Sequence, residues 1–279
     1  MKYQFDPYVV EYEKVRAPLH DFRTECILAA HKAASMNENN LPIIVMMSGG
    51  LDSELIAESL YLANIPFKAV IGKLQIEVAT EIITLNKHDY GYAERWCNAH
   101  DIEVEYCSID IYKQTKLLTE YVLSAQGFSP QYAWHMYLMK WCSDHGYFFM
   151  TAFGDINISL VNNKYVSVDK QINSCIDIFC KNNGLNGITR FVKLDSQMTA
   201  SFLKLTSVQK LMAEKTIKLL DHKYTCFSEA FPEMSIRPKH TGFESIQEWD
   251  NILRTYMKRH NGQYNKLSFT PISQFMEQE

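Results

Sequence analysis

Chemistry is concentrated first in Ser48-Gly49-Gly50-Leu51-Asp52-Ser53, which follows the apolar run Ile43-Ile44-Val45-Met46-Met47 and leads straight into an amphipathic stretch. That order suits the grip of an anion. Gly49 and Gly50 allow positive φ and a close backbone approach to a ligand. The first N–H groups of the following helix lack intrahelical partners and carry the positive end of its dipole. Ser48 and Ser53 add hydroxyls, and Asp52 adds a carboxylate. The turn has no Gly-Lys-Ser/Thr ending, so it is not a Walker loop.

Two later segments offer complementary groups. Thr151-Ala152-Phe153-Gly154-Asp155 reads as a strand running into a turn. Gly154 permits the bend and sets Asp155 at the ligand edge, where its carboxylate suits Mg²⁺, an ion that takes one or two carboxylates plus phosphates and waters. In Ser235-Ile236-Arg237-Pro238-Lys239-His240-Thr241-Gly242-Phe243, Pro238 stiffens the approach of Lys239 and Gly242 allows a bend. Asp89 is read as the N-cap of a helix over 89–100; its functional alternative has Asn86 or Asp89 bordering an acceptor pocket. Tyr132, Trp134, His135, Met136, Tyr137, Met139 and His145 are read as packing or surface residues. Arg190 and Lys193 carry no signal.

The elements that position these groups alternate in type. Residues 1–40 form an N-terminal extension with one helix, about 19–34. Strands are expected at 43–47, 67–73, 103–109 and 147–152, with helices at 52–64, 89–100, 112–126 and 130–145. On the 52–64 helix, Leu55, Ile56, Ser59, Leu60 and Ala63 share one face at helical spacing. Strands separated by helices make an α/β, doubly wound parallel sheet, with ligands bound beyond its carboxyl edge. Residues 41–160 are taken as the nucleotide-binding domain. Residues 161–279 are taken as a mainly helical C-terminal cap completing the active site, with two short strand-like runs and helices at 198–220 and 243–259.

The chain has 279 residues, 47% of them hydrophobic, enough for a sizeable core. A net charge of −4 gives no global basic field, so bulk charge does not point to nucleic acid, although a local basic patch stays open. Apolar runs fall well short of the ~20 residues that span a bilayer. The N-terminus has no secretory pattern, so a cytoplasmic protein without membrane contact is expected. The seven cysteines are scattered and lack a C-x-x-C pair. They read as reduced thiols rather than a disulfide or zinc framework.

The turn SGGLDS resembles the signature loop of the PP-loop ATP pyrophosphatases, and the resemblance covers residues 41–155 well and 226–245 moderately. It implies an adenine nucleotide α-hydrolase-like fold, with ATP and Mg²⁺ as cofactors. ATP is split between its α and β phosphates, and the departing pyrophosphate is held by Ser48, Gly49, Gly50, Asp52 and Ser53, with Asp52 and Asp155 toward the metal. The segment 151–155 is similar to the Thr-Gly-x-Gly-x-Asp-Glu turn of asparagine synthetases, with Ala152 in place of a glycine and no Asp-Glu pair. The segment 235–243 resembles the Arg-Pro-Lys-x-Gly-Phe segment of asparagine and β-lactam synthetases with one extra residue. That likeness brings Lys239 to the phosphates and the reacting centre. It also implies main-chain contacts from Val70, Ile71 and Gly72 to adenine, with Lys73 nearby.

The activity so implied is adenylation of an acceptor followed by C–N bond formation. Lys2 stands where glutamine-using relatives carry a catalytic cysteine, so no built-in glutaminase is expected. Nitrogen then comes from ammonia, a separate glutaminase or an amine. The acceptor, a small molecule or a macromolecule, is left open. The alternatives are an enzyme modifying a tRNA or DNA base, and a nucleotide-binding protein without turnover.

Overall fold

The computed structural model describes residues 2–5, 8–78, 81–124, 132–153, 156–234 and 267–276. A short antiparallel hairpin, β1 (Lys2–Phe5) and β2 (Tyr8–Glu11), precedes α1 (Phe22–Ser35). Next come β3 (Ile43–Met46), α2 (Leu51–Leu62), β4 (Lys68–Val78), β5 (Glu81–Thr84), α3 (Lys87–Ala99) and β6 (Val104–Asp110). Two helices, α4 (Thr115–Ser124) and α5 (Ala133–Asp144), lead to β7 (Phe148–Met150). The hairpin β8 (Ile158–Val161) and β9 (Lys164–Lys170) runs into α6 (Gln171–Asn182) and β10 (Gly187–Ile188). Helices α7 (Ser196–Leu203), α8 (Thr206–Ala213) and α9 (Lys223–Ala230) follow, and β11 (Leu267–Pro271) is the last strand.

The main sheet runs β10-β7-β3-β4-β6, with every neighbour parallel. β5 folds back antiparallel on the far end of β4. Alternate residues of each strand face opposite layers, as the two-residue period of a strand requires. Val45, Met47, Ala69, Ile71, Phe148 and Met150 pack against α1, α2, α3, α7 and α9. Ile44, Met46, Val70, Leu74, Cys107 and Phe149 pack against α4, α5 and α6. The fold class expected from the sequence is therefore the one observed: α/β, with a doubly wound, mostly parallel sheet.

The expected helical face of α2 is buried throughout, and Glu54, Ala57 and Glu58 on its flanks are buried as well. All seven cysteines are free and buried, and burial raises the Cys107 and Cys175 thiols to about 12. No described helix is long and apolar enough to cross a membrane.

Several elements differ from the sequence reading. The hairpin β1–β2 and the helix α6 are not among the expected elements, although Cys175, Ile176, Phe179 and Cys180 recur at helical spacing in α6 and form its buried face. The single helix expected at 198–220 is two helices and a 3₁₀ turn at Leu219–His222. Its break at Leu205 is stabilised from a distance, because the Glu229 carboxylate accepts the N–H groups of Thr206 and Ser207 at 2.8 and 2.7 Å. β9 also pairs with β8 and β11 in a second, antiparallel sheet. The helix expected at 243–259 lies outside the described residues.

Candidate nucleotide site

The chain leaves β3 through α2 to β4 on one side, whereas β7 joins β3 on the other. This reversal of winding makes the carboxyl end of β3 a topological switch point, where open α/β sheets bind ligands. The turn 48–53 sits there. Met47 N–H donates to Val70 O at 2.9 Å and so carries the ladder up to the turn.

Gly49 has φ +76°, the left-handed region that favours glycine. A Cβ at this position would lie 1.9 Å from the carbonyl oxygen of Asp89. The glycine is thus required by the packing of α3 against the turn, where the sequence suggested close approach of a ligand. Gly50 departs from expectation too: it is the N-cap of α2 with φ −90° and ψ 160°, ordinary extended backbone. Ser53 ties the turn together. Its Oγ accepts Ser48 N–H at 3.2 Å and donates to Gly50 O at 2.9 Å, and Ser48 Oγ accepts Gly50 N–H at 3.3 Å. The first turn of α2 therefore points its N–H groups and dipole out of a braced loop.

Beside the turn lies a cavity of about 400 Å³, lined in part by Ser48, Asp52, Ser53, Gly72 and Asn86. Asp52 is a quarter exposed and accepts a 2.5 Å hydrogen bond from Lys223 Nζ, at the start of α9. Asn86 is the N-cap residue of α3, displacing Asp89 from the expected capping role; Asp89 lies buried in the first turn. The Asn86 amide bridges the middle of β4, donating to Gly72 O at 2.8 Å and accepting Leu74 N–H at 3.0 Å.

The opposite wall is aromatic. Tyr132, Trp134, His135 and Phe153 all line the cavity. His135 lies 3.4 Å from Trp134 and 4.5 Å from Phe153, centroid to centroid, and Tyr132 meets Phe153 edge-on at 5.0 Å. Residues read from sequence as packing therefore present ring surface to the site. Their helical spacing looks like a core stripe, and only the second layer of the sheet reveals the void beside them. Gly72 lets this wall close in, since a Cβ there would meet Leu138 Cδ2 at 3.2 Å. Asn157, Lys170 and Asn173 complete the polar rim.

Val70 and Ile71 are fully buried within the sheet and do not line the cavity. Lys73 lies over the Tyr106 ring at 3.6 Å, outside the cavity lining. Gly154, Asp155 and Lys239 lie outside the described residues, as does the whole 235–243 segment.

Arg190 and Lys193, silent in the sequence, belong to a buried charge cluster just behind the site. Asp169 accepts hydrogen bonds from Lys193 Nζ at 2.7 Å, Arg190 at 3.1 Å and Tyr12 OH at 2.5 Å. Burial pushes the Asp169 carboxyl up, but the two cations and their hydrogen bonds outweigh it and hold the group below the ordinary aspartate range. Burial, and then Asp169, raise the Tyr12 phenol. The cluster joins the N-terminal segment, β9 and the 3₁₀ turn Phe191–Lys193, and so fixes Val168 and Lys170 at the cavity edge.

Magnesium fits this donor set in a limited way. Among the described residues no group of three or more His, Cys, Asp or Glu could hold a metal ion. A protein-only cage is therefore not on hand there, whereas one carboxylate beside a phosphate-binding turn is the usual arrangement for Mg²⁺. Asp52, beside the glycine turn and at the cavity, is the described carboxylate that would serve for such an ion.

No family model matches the chain, and no curated protein matches it. Among solved structures the chain is similar to the NMN synthetase of Francisella tularensis, with 11% identity, 87% of this chain and 94% of that chain covered, and a TM-score of 0.36.

Proposed function

We propose that this protein is an ATP-dependent, AMP- and pyrophosphate-forming ligase that adenylates an acceptor and then forms a C–N bond. One observation supports the reading: a glycine turn tied together by Ser48 and Ser53 lies at the switch point of a doubly wound sheet, beside a cavity of about 400 Å³ with Asp52 at its edge. The β and γ phosphates lie against 48–53. A carboxylate oxygen of the acceptor attacks the α phosphorus in line, the new P–O bond forms, and the bond to the α–β bridging oxygen breaks to release pyrophosphate. A nitrogen nucleophile, ammonia or an amine, then attacks the acyl carbon, loses a proton and displaces AMP. Asp52 would hold Mg²⁺, which would supply charge neutralisation on the phosphates when bound. The protein's own share is alignment and fixed dipoles aimed at developing negative charge. The resemblance in sequence assigns Lys239 to that charge, Gly154 to the nucleotide and Asp155 to the metal side.

A second reading, modification of a nucleic-acid base, is favoured by the ring surface of Trp134, His135 and Phe153, since bases stack on such walls. One assay separates the readings. Labelled ATP is incubated with pools of carboxylic acids plus ammonia, or with tRNA or DNA, and the products are resolved. AMP with pyrophosphate is expected. Stimulation by carboxylates supports the ligase, and stimulation by nucleic acid supports the second reading. Nucleotide binding without cleavage marks a non-catalytic binder, while ADP and orthophosphate as sole products overturn the proposal.

A further inference from the structure

The ion pair between Asp52 and Lys223 is placed where charge matters most. Asp52 is in the first turn of α2, beside the anion-binding turn. Lys223 comes from 171 residues further along the chain and is the first residue of α9. Lys223 stands at the junction of the 3₁₀ turn Leu219–His222 and α9, and from there it sends its ammonium to Asp52. The N-terminus of α2 and an ammonium thus converge on one carboxylate. The pair is only partly buried, at 19% exposure for Lys223 and 25% for Asp52, so both groups can turn to a ligand. The Lys223 stem runs along α9, with Nζ 6.0 Å from the ring of buried Phe227, which limits where the ammonium can go.

We infer that Lys223 is a phosphate-binding residue of this site, held over the turn by Asp52 until a magnesium–polyphosphate complex arrives. Asp52 then takes the metal side, and the Lys223 ammonium passes to a polyphosphate oxygen. The ligand class is a di- or triphosphate, and pyrophosphate is its smallest member. The inference deepens the proposed function and rests on the same turn.

Calorimetry with pyrophosphate, ATP and AMP, each with and without Mg²⁺, tests it on wild type, Lys223→Gln, Lys223→Arg and Asp52→Asn. Lys223→Gln is expected to weaken pyrophosphate and ATP by about tenfold to hundredfold, the worth of a charged hydrogen bond, and to leave AMP binding unchanged. Lys223→Arg should restore most of the loss. Asp52→Asn should act in the opposite sense without metal, tightening pyrophosphate because the ammonium is released, while Mg²⁺ no longer helps. A purely structural tie predicts that both partners' variants lower the melting temperature and leave the ATP-to-AMP affinity ratio as in wild type. That result overturns the inference while sparing the proposed function. Wild-type protein that binds neither ATP nor pyrophosphate overturns both.

Discussion

Replacing Gly49 by alanine probes the turn at its most constrained point. At φ +76° an L-residue costs about 1–2 kcal/mol. The added Cβ would also lie 1.9 Å from the Asp89 carbonyl oxygen, a backbone atom that cannot rotate away. Either the turn or the first turn of α3 must move by roughly 1 Å, and overpacking of this kind costs about 1–3 kcal/mol. Together these predict a loss of roughly 2–5 kcal/mol, which is about 5–15 °C in melting temperature for a chain of this size. On the proposed function, a shift of that size in the turn should also lower turnover about a hundredfold. Gly50→Ala is the matched control, since Gly50 has extended backbone and no left-handed strain. Differential scanning calorimetry and labelled-ATP turnover on the pair supply the readout. If Gly49→Ala melts with the wild type and turns over ATP normally, the packing argument for this glycine is wrong.

Two further outcomes follow from groups around the site. Asn86→Ala should leave Gly72 O and Leu74 N–H without their amide partner, costing about 2–4 kcal/mol by loss of two buried hydrogen bonds; urea unfolding measures it. ATP affinity should fall with it, because Gly72 lines the cavity. Asp169→Asn should destabilise by about 3–5 kcal/mol, as removal of one partner strands buried Lys193 and Arg190. Because the Asp169 carboxyl is held low in the folded state, its contribution is full above the ordinary aspartate pKa. It is lost as pH falls through the folded value. The wild type should therefore lose stability on acidification in that window, and Asp169→Asn should show a flatter profile in denaturant midpoints taken across acidic pH.

The amino-acid sequence alone determined the local grammar. The strand–turn–helix around 43–62, the alternation that builds the sheet, the end of the sheet where the turn lies, and the reduced cysteines were all legible, because each depends on spacing within a few residues. Tertiary structure decided what that turn meets. Asp89 O occupies the place of a Gly49 Cβ, Lys223 reaches Asp52 across 171 residues, and Glu229 caps a helix more than twenty residues before it. The aromatic residues of α5 face a cavity in place of a filled core. Asp169, Lys193, Arg190 and Tyr12 become one buried cluster although each looks ordinary in isolation. Local periodicity sets which way a side chain points, whereas its partner is set by how the layers stack, and no short stretch of chain contains that information.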